Sequence, residues 1–143
     1  MEDAILNFAA QLSWEPEMKN LDTSCLSGHE VSKFNKFIVC GMGGSALPAG
    51  FLRANNPALD LLVHRDYGLP RVPDYFLRES LIIICSHSGE TEETIDAFNS
   101  AINQNLNVAV VTSGPSTSLG MNKLLKLAQE KGMPYIQLPV PTF

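Results

Sequence analysis

Two short runs of glycine and hydroxyl residues carry the chemistry that can be read from this sequence: Ser86-His-Ser-Gly-Glu-Thr91 and Gly41-Met-Gly-Gly-Ser45. In the first, Ser86, Ser88 and Thr91 flank Gly89, directly after the apolar run Leu81-Ile-Ile-Ile-Cys85 and before Glu92-Glu-Thr-Ile95. That order predicts a covered strand, a tight turn and the start of a helix. A helix N-terminus has unpaired backbone N–H groups and the positive end of the helix dipole. Hydroxyls added there make a cradle for phosphate oxygens that needs no lysine or arginine. The same residues also fit a simpler reading, in which Ser88 or Gly89 caps the helix and Glu90, Glu92 and Glu93 answer its dipole.

The second run opens a competing reading. Gly41-x-Gly43-x-x-Ala46 satisfies a dinucleotide-binding pattern, with Asp66 a little over twenty residues later, which would make the chain part of an oxidoreductase using NAD or a flavin. Gly43 and Gly44 also suit a tight turn that needs positive φ and binds nothing. A Gly-x-x-x-x-Gly-Lys loop and a Gly-x-Ser-x-Gly elbow are both missing from the sequence. His64 and His87, or Glu92 and Glu93, are the candidate proton acceptors near these runs, and for each a solvent-facing or packing role is the ordinary alternative. His29 reads as a surface residue. No metal site is read.

The elements that must position the two turns follow from hydrophobic periodicity. Ile5, Phe8, Ala9 and Leu12 predict a short amphipathic helix, and Trp14 to Lys36 an irregular or partly helical lead-in. Strands are predicted at Phe37 to Cys40, Leu59 to His64, Leu81 to Cys85, Val108 to Val111 and Tyr135 to Leu138. Between them fall an apolar helix through about Arg53 with Pro48 in its first turn, a loop from Asp66 to Asp74 and a short helical piece before Leu81. A helix striped by Ile95, Phe98, Ala101 and Ile102 follows, and then one marked by Leu119, Leu124, Leu127 and Ala128 that stops at Gly132. Strands alternating with helices predict right-handed crossovers and a three-layer αβα sandwich around a five-stranded parallel sheet. In such sheets ligands lie beyond the carboxyl ends of the strands where strand order reverses. If the order is 2-1-3-4-5, by analogy with flavodoxin-like folds, the two turns face one ligand.

Composition narrows the partners. At 143 residues the chain is long enough to bury about 70% of its unfolded surface without disulfides or metals. A net charge of −5 with no basic cluster disfavours nucleic acid and anionic membranes. The acidic start Met1-Glu-Asp is unlike a signal peptide, and the apolar runs are too short to span a bilayer. Cys25, Cys40 and Cys85 are odd in number and form no Cys-x-x-Cys pair, which fits reduced thiols in the cytoplasm.

Gly41-Met-Gly-Gly-Ser45, Arg65-Asp-Tyr-Gly-Leu-Pro70 and Ser86 to Thr94 together resemble the bifunctional phosphoglucose/phosphomannose isomerases, within the sugar isomerase (SIS) domain superfamily. The resemblance runs from about Phe37 onward. It implies a helical lead-in over 1–36 and a SIS domain over 37–143, with no cofactor. It also implies that Gly44, Ser45, Ser86, Ser88 and Thr91 contact a sugar phosphate; Gly43, His87 and Gly89 are secondary candidates beside them. Glu90 stands where relatives often carry asparagine. Aldose-ketose isomerisation needs a base, a ring-opening acid and a cation near the enediolate. The resemblance implies that these come from an arginine after the fifth strand and from a glutamate, a histidine and a lysine in a second SIS domain or a neighbouring subunit. The chain ends at Phe143, before that arginine is expected. The implied function is binding of glucose, fructose or mannose 6-phosphate as the first half of such an isomerase, in a homodimer or with a second SIS domain. A non-catalytic sugar-phosphate sensor is the first alternative and the dinucleotide oxidoreductase the second.

Overall fold

Phe37-Ile-Val-Cys40, Leu81 to Cys85 and Val108 to Val111 are too short and too β-branched to persist as helices, and their buried N–H and C=O groups must find partners in neighbouring strands. A computed structural model, which describes residues 15, 17–19, 34–113 and 122–139, places them at the centre of one sheet. The strands among the described residues are β1 (Glu17–Lys19), β2 (Lys36–Gly41), β3 (Asp60–His64), β4 (Ser80–Ser86), β5 (Asn107–Ser113) and β6 (Tyr135–Leu138). The helices are α1 (Leu47–Asn55), α2 (Asp74–Glu79), α3 (Glu92–Asn103) and α4 (Lys123–Glu130), with a 3₁₀ turn at Gly43–Ala46 leading into α1.

The sheet order is β1-β6-β5-β4-β2-β3. All pairs from β3 to β6 are parallel, in the expected 2-1-3-4-5 arrangement. The sheet has six strands rather than five, because β1 adds antiparallel to β6 with Met18 opposite Ile136. Its three residues, Glu-Met-Lys, have no apolar alternation. This strand exists because β6 offers an open ladder edge, which no local pattern reports. The predicted helix at Glu2 to Leu12, and Leu119, lie outside the described residues.

The two faces of the sheet are covered unequally. On one, Ile38, Cys40, Ile82, Ile84, Val108 and Val110 pack under α2, α3 and α4, which contribute Leu77, Ala97, Phe98, Ala101, Leu124 and Ala128. On the other, Val39 and Leu61 meet Ala49 of α1, and Phe37, Val63, Ile83 and Cys85 are only partly buried. An uninterrupted apolar strand predicts cover on both sides. Among the described residues only α1 supplies it on the second. Leu47, Phe51 and Leu52 of α1 are themselves exposed, Phe51 at 72%. No helix among the described residues is long and apolar enough to cross a membrane.

Helix α3 ends on a left-handed residue. Asn105 has φ of 53°, and its N–H bonds Ile102 O while that of Leu106 bonds Ala101 O, so the last carbonyls are satisfied and buried Leu106 is turned into the core. Asparagine tolerates this conformation; a β-branched residue does not. Asn105→Val is expected to cost about 1–2 kcal/mol and Asn105→Gly to stay within about 1 kcal/mol of the parent, both read from urea unfolding with an unchanged slope.

Candidate functional site

Strands β2 and β4 are neighbours on either side of the point where the chain changes direction through the sheet, so the turns that follow them leave the same edge side by side. Gly41 is opposite Cys85. A Cβ on Gly41 would lie 3.1 Å from the Cys85 carbonyl oxygen and 3.4 Å from the Ser45 carbonyl carbon, so the missing side chain is what allows this close approach. The backbone N–H of His87 then donates to Ser45 Oγ at 3.2 Å. The two glycine-hydroxyl turns are therefore in direct contact.

Beside that contact opens a cavity of about 650 Å³. Gly44, Ser45, Ser86 and His87 line it together with Thr112 and Ser113 from the end of β5. Its floor is apolar, made of Val39, Ala49, Ile83, Cys85 and Val111. Burial pushes the Cys85 thiol up to about 11. Cys40 rises to about 12, first from burial and then from its neighbour Cys85. Neither thiol is a proton acceptor near neutral pH.

The Ser86 turn is built from its own hydroxyls. Ser86 Oγ accepts the Gly89 N–H at 3.1 Å and lies 2.9 Å from Thr91 Oγ1, which leaves one hydroxyl proton of the pair for another acceptor. Ser88 Oγ accepts the Glu90 N–H at 3.2 Å. Thr91 precedes α3 with extended backbone and makes no side-chain cap bond, so among the described residues no side-chain cap occupies the N–H groups of the first helical turn. Of the residues expected at the site, Gly44, Ser45, Ser86 and His87 reach the cavity. Ser88 is exposed on the turn, Thr91 is tied to Ser86, Gly43 is exposed with φ of 50°, and Gly89 is buried with φ of 70°.

Glu92 and Glu93 stand in the first turn of α3 as expected, and the carboxylates of Glu90, Glu92 and Asp96 are bonded to neighbouring elements. Glu90 Oε1 accepts the Lys123 N–H at the head of α4 at 2.9 Å. The Tyr67 hydroxyl donates to Glu92 Oε2 at 3.3 Å, and Asp96 Oδ2 accepts the Gly68 N–H at 2.8 Å. The loop after β3 is thereby fastened to α3, and the charge of Glu93, then desolvation, then Glu92 raise the Tyr67 phenol above its usual range. None of these acids caps α3 in place of an anion.

Asn122, which the sequence reading missed, locks the turn from behind. Its Oδ1 accepts the Leu125 N–H at 2.8 Å, and its Nδ2 donates to Thr112 Oγ1 at 2.6 Å and to Ser113 O. Thr112 Oγ1 in turn donates to Ser86 O at 2.7 Å, and the Leu124 N–H reaches Gly89 O at 3.0 Å. The local signs of this assembly are a polar pair, Thr112-Ser113, ending an apolar strand, and an asparagine, a favoured N-cap residue, directly before Lys123-Leu-Leu. A Cβ on Gly89 would fall 1.8 Å from Asn122 Oδ1. Gly89→Ala is expected to cost about 3 kcal/mol or more from a displaced cap and left-handed backbone, and less in an Asn122→Gly background, as urea melts of the double-mutant cycle will show. Cys85 at pH 8 has roughly a thousandth of its thiol ionised and is expected to react slowly with iodoacetamide, about tenfold faster for each pH unit up to 10, followed by mass spectrometry of its peptide.

No protein-family model matches the chain. It is 28% identical over 143 residues to the bifunctional phosphoglucose/phosphomannose isomerase of Caldicellulosiruptor bescii, covering 97% of this chain and 38% of that one. Against the enzyme of the same name from Aquifex aeolicus it is 30% identical over 139 residues, covering 92% and 36%. The chain thus spans well under half the length of these relatives. Among solved structures, the sugar isomerase domain of an RpiR transcription factor from Sphaerobacter thermophilus superposes with a TM-score of 0.53 at 19% identity, covering 83% of this chain and 65% of that one. A hypothetical protein from Thermus thermophilus gives 0.54 at 20% identity, covering 76% and 28%. The chain therefore has the fold of a sugar isomerase domain and resembles, over nearly all of its length, part of the bifunctional phosphoglucose/phosphomannose isomerases.

Proposed function

We propose that this chain binds a hexose 6-phosphate between its two glycine-hydroxyl turns, as the sugar-phosphate-binding part of a phosphoglucose/phosphomannose isomerase. The observation that carries this reading is the His87 N–H to Ser45 Oγ contact at 3.2 Å, which joins the turns at the wall of one cavity. The phosphoryl group sits against the first-turn N–H groups of α3 and the hydroxyls of Ser45 and Ser88. Ser86 and Thr91 shape the turn and lend it one further proton. Relatives named for both phosphoglucose and phosphomannose isomerisation support glucose, fructose and mannose 6-phosphate as the ligands. A cytoplasmic setting belongs to this reading, supported by free Cys40 and Cys85.

Isomerisation moves a proton between adjacent carbons and needs a base poised near neutral pH. Among the described residues that line the cavity, the ionisable groups are His87 and Cys85, and the thiol is held too high to serve. The remaining acid-base groups and the cation are accordingly supplied by a second SIS domain or a second copy of this chain. Exposed Leu47, Phe51 and Leu52 support such a partner, since Leu52 also lines the cavity. A non-catalytic sensor is the second reading, favoured by the transcription-factor domain that shares the fold.

Thermal unfolding with glucose, fructose and mannose 6-phosphate, free glucose and NAD tests the proposal. A sugar phosphate at 100 times its dissociation constant is expected to add about 2.7 kcal/mol, several degrees in melting temperature, and free glucose nothing. Ser45→Ala with Ser88→Ala should remove the shift while the unliganded melt stays within about 2 kcal/mol of the parent. Stabilisation by NAD alone would replace this reading with the dinucleotide one. Binding without turnover, even with the partner chain present, would favour the sensor.

A further inference from the structure

His87 is held more firmly than an exposed histidine needs to be. Its ring Nδ1 lies 2.7 Å from Ser113 Oγ, its backbone N–H donates to Ser45 Oγ, and its carbonyl accepts the Ser113 N–H at 3.3 Å. Ser113 is only 2% exposed and belongs to a strand whose end is locked by Asn122. The imidazole is therefore tethered to the rigid part of the fold and lines the cavity, while Nε2 has no hydrogen-bond partner among the described residues. A serine hydroxyl can donate to Nδ1 of the neutral ring or accept from it once the ring is charged. The tether thus survives both protonation states.

Among the described residues that line this cavity, His87 is the one basic side chain. The turn after β2 carries no charged residue from Gly41 to Leu52, the end of β5 contributes Thr112 and Ser113, and Leu138 of β6 is apolar. Cys85 on β4 stays a neutral thiol. On its own turn and α3, Glu90 is bound to the Lys123 N–H and Glu92 to Tyr67, with exposed Asp96 fastened to Gly68. Glu93 lies beside Tyr67, and Lys123 is exposed at the head of α4.

We propose that His87, positioned by Ser113, is a proton-gated contact to the anionic group of the bound sugar phosphate, strengthening binding when its ring is charged. The proposal rests on the sugar-phosphate reading and adds that affinity follows pH. Imidazoles gain their proton as pH falls between about 8 and 5, whereas a phosphate monoester keeps its second negative charge above about pH 6. Above about pH 6.5 a phosphate monoester is largely a dianion while imidazoles in general give up their charge, so the proposal requires affinity to fall as pH rises.

Calorimetric titration of the 143-residue chain with glucose 6-phosphate at pH 6.5, 7.5 and 8.5 measures this. Affinity is expected to weaken about tenfold across the series, the difference between a charge-assisted and a neutral hydrogen bond. His87→Gln should bind at every pH as weakly as the parent does at pH 8.5. Ser113→Ala, which keeps the imidazole but frees it, should reduce the pH dependence; if that variant melts early, His87→Gln on the exposed turn still decides. Binding that is equally tight at all three pH values, or a His87→Gln variant that keeps the parent's pH dependence, overturns the assignment and leaves the sugar-phosphate reading standing. Absence of binding at every pH overturns both.

Discussion

The close pairing of β2 with β4 is the constraint on which the rest of the structure depends. These strands are far apart in sequence, and the excursion through α1, β3 and α2 returns the chain to the opposite side of β2. Their shared edge therefore has helices leaving it in opposite directions, which opens a crevice that a sheet wound one way does not have. Gly41 sharpens that geometry. With no Cβ between it and Cys85, the two turns approach until one donates a backbone hydrogen bond to a hydroxyl of the other.

Among the described residues the cavity lining has no lysine or arginine, so apart from His87 its positive potential comes from oriented dipoles, and dipoles work only when they are held still. Here the holding is done from behind. Asn122 ties the end of β5 to the start of α4, Thr112 ties β5 to β4, and the α4 N–H groups are satisfied by Gly89 and Glu90 of the turn itself. Helix α4 thus gives up N-terminal donors to support the turn, while those of α3 have no side-chain cap among the described residues. Three of the acidic residues near the turn are engaged in the same framework, Glu90 with α4 and Glu92 and Asp96 with the loop after β3.

The unequal cover of the sheet bears on the same point. The face under α2, α3 and α4 is a dense apolar core. The face under α1 is thinner and merges with the cavity floor, and the outer side of α1 remains apolar and exposed. Relatives more than twice as long as this chain have further polypeptide to set against such a surface. In general, a cavity closed by a second body gains dry walls and side chains that its own walls do not carry.

What the sequence determined was local. Period-2 and period-3.6 patterns specify their elements because burial depends on which side of a strand or helix each side chain occupies, and the parallel strands, α3 and the stop at Gly132 were legible for that reason. Glycine and hydroxyl residues at the two turns were legible because few other residues tolerate such backbone or donate from it. Tertiary structure alone decided the rest. Strand β1 has no pattern of its own and pairs because β6 presents an open edge. Asn122 falls inside the helix expected from Leu119 and Ser113 just past a predicted strand, and their ties to the turn and to each other come from partners 9 to 26 positions away. The direction of Glu90 is decided the same way, by a helix that begins 33 residues later. Side-chain identity states what a group can bond; only the folded chain decides which partner is within reach.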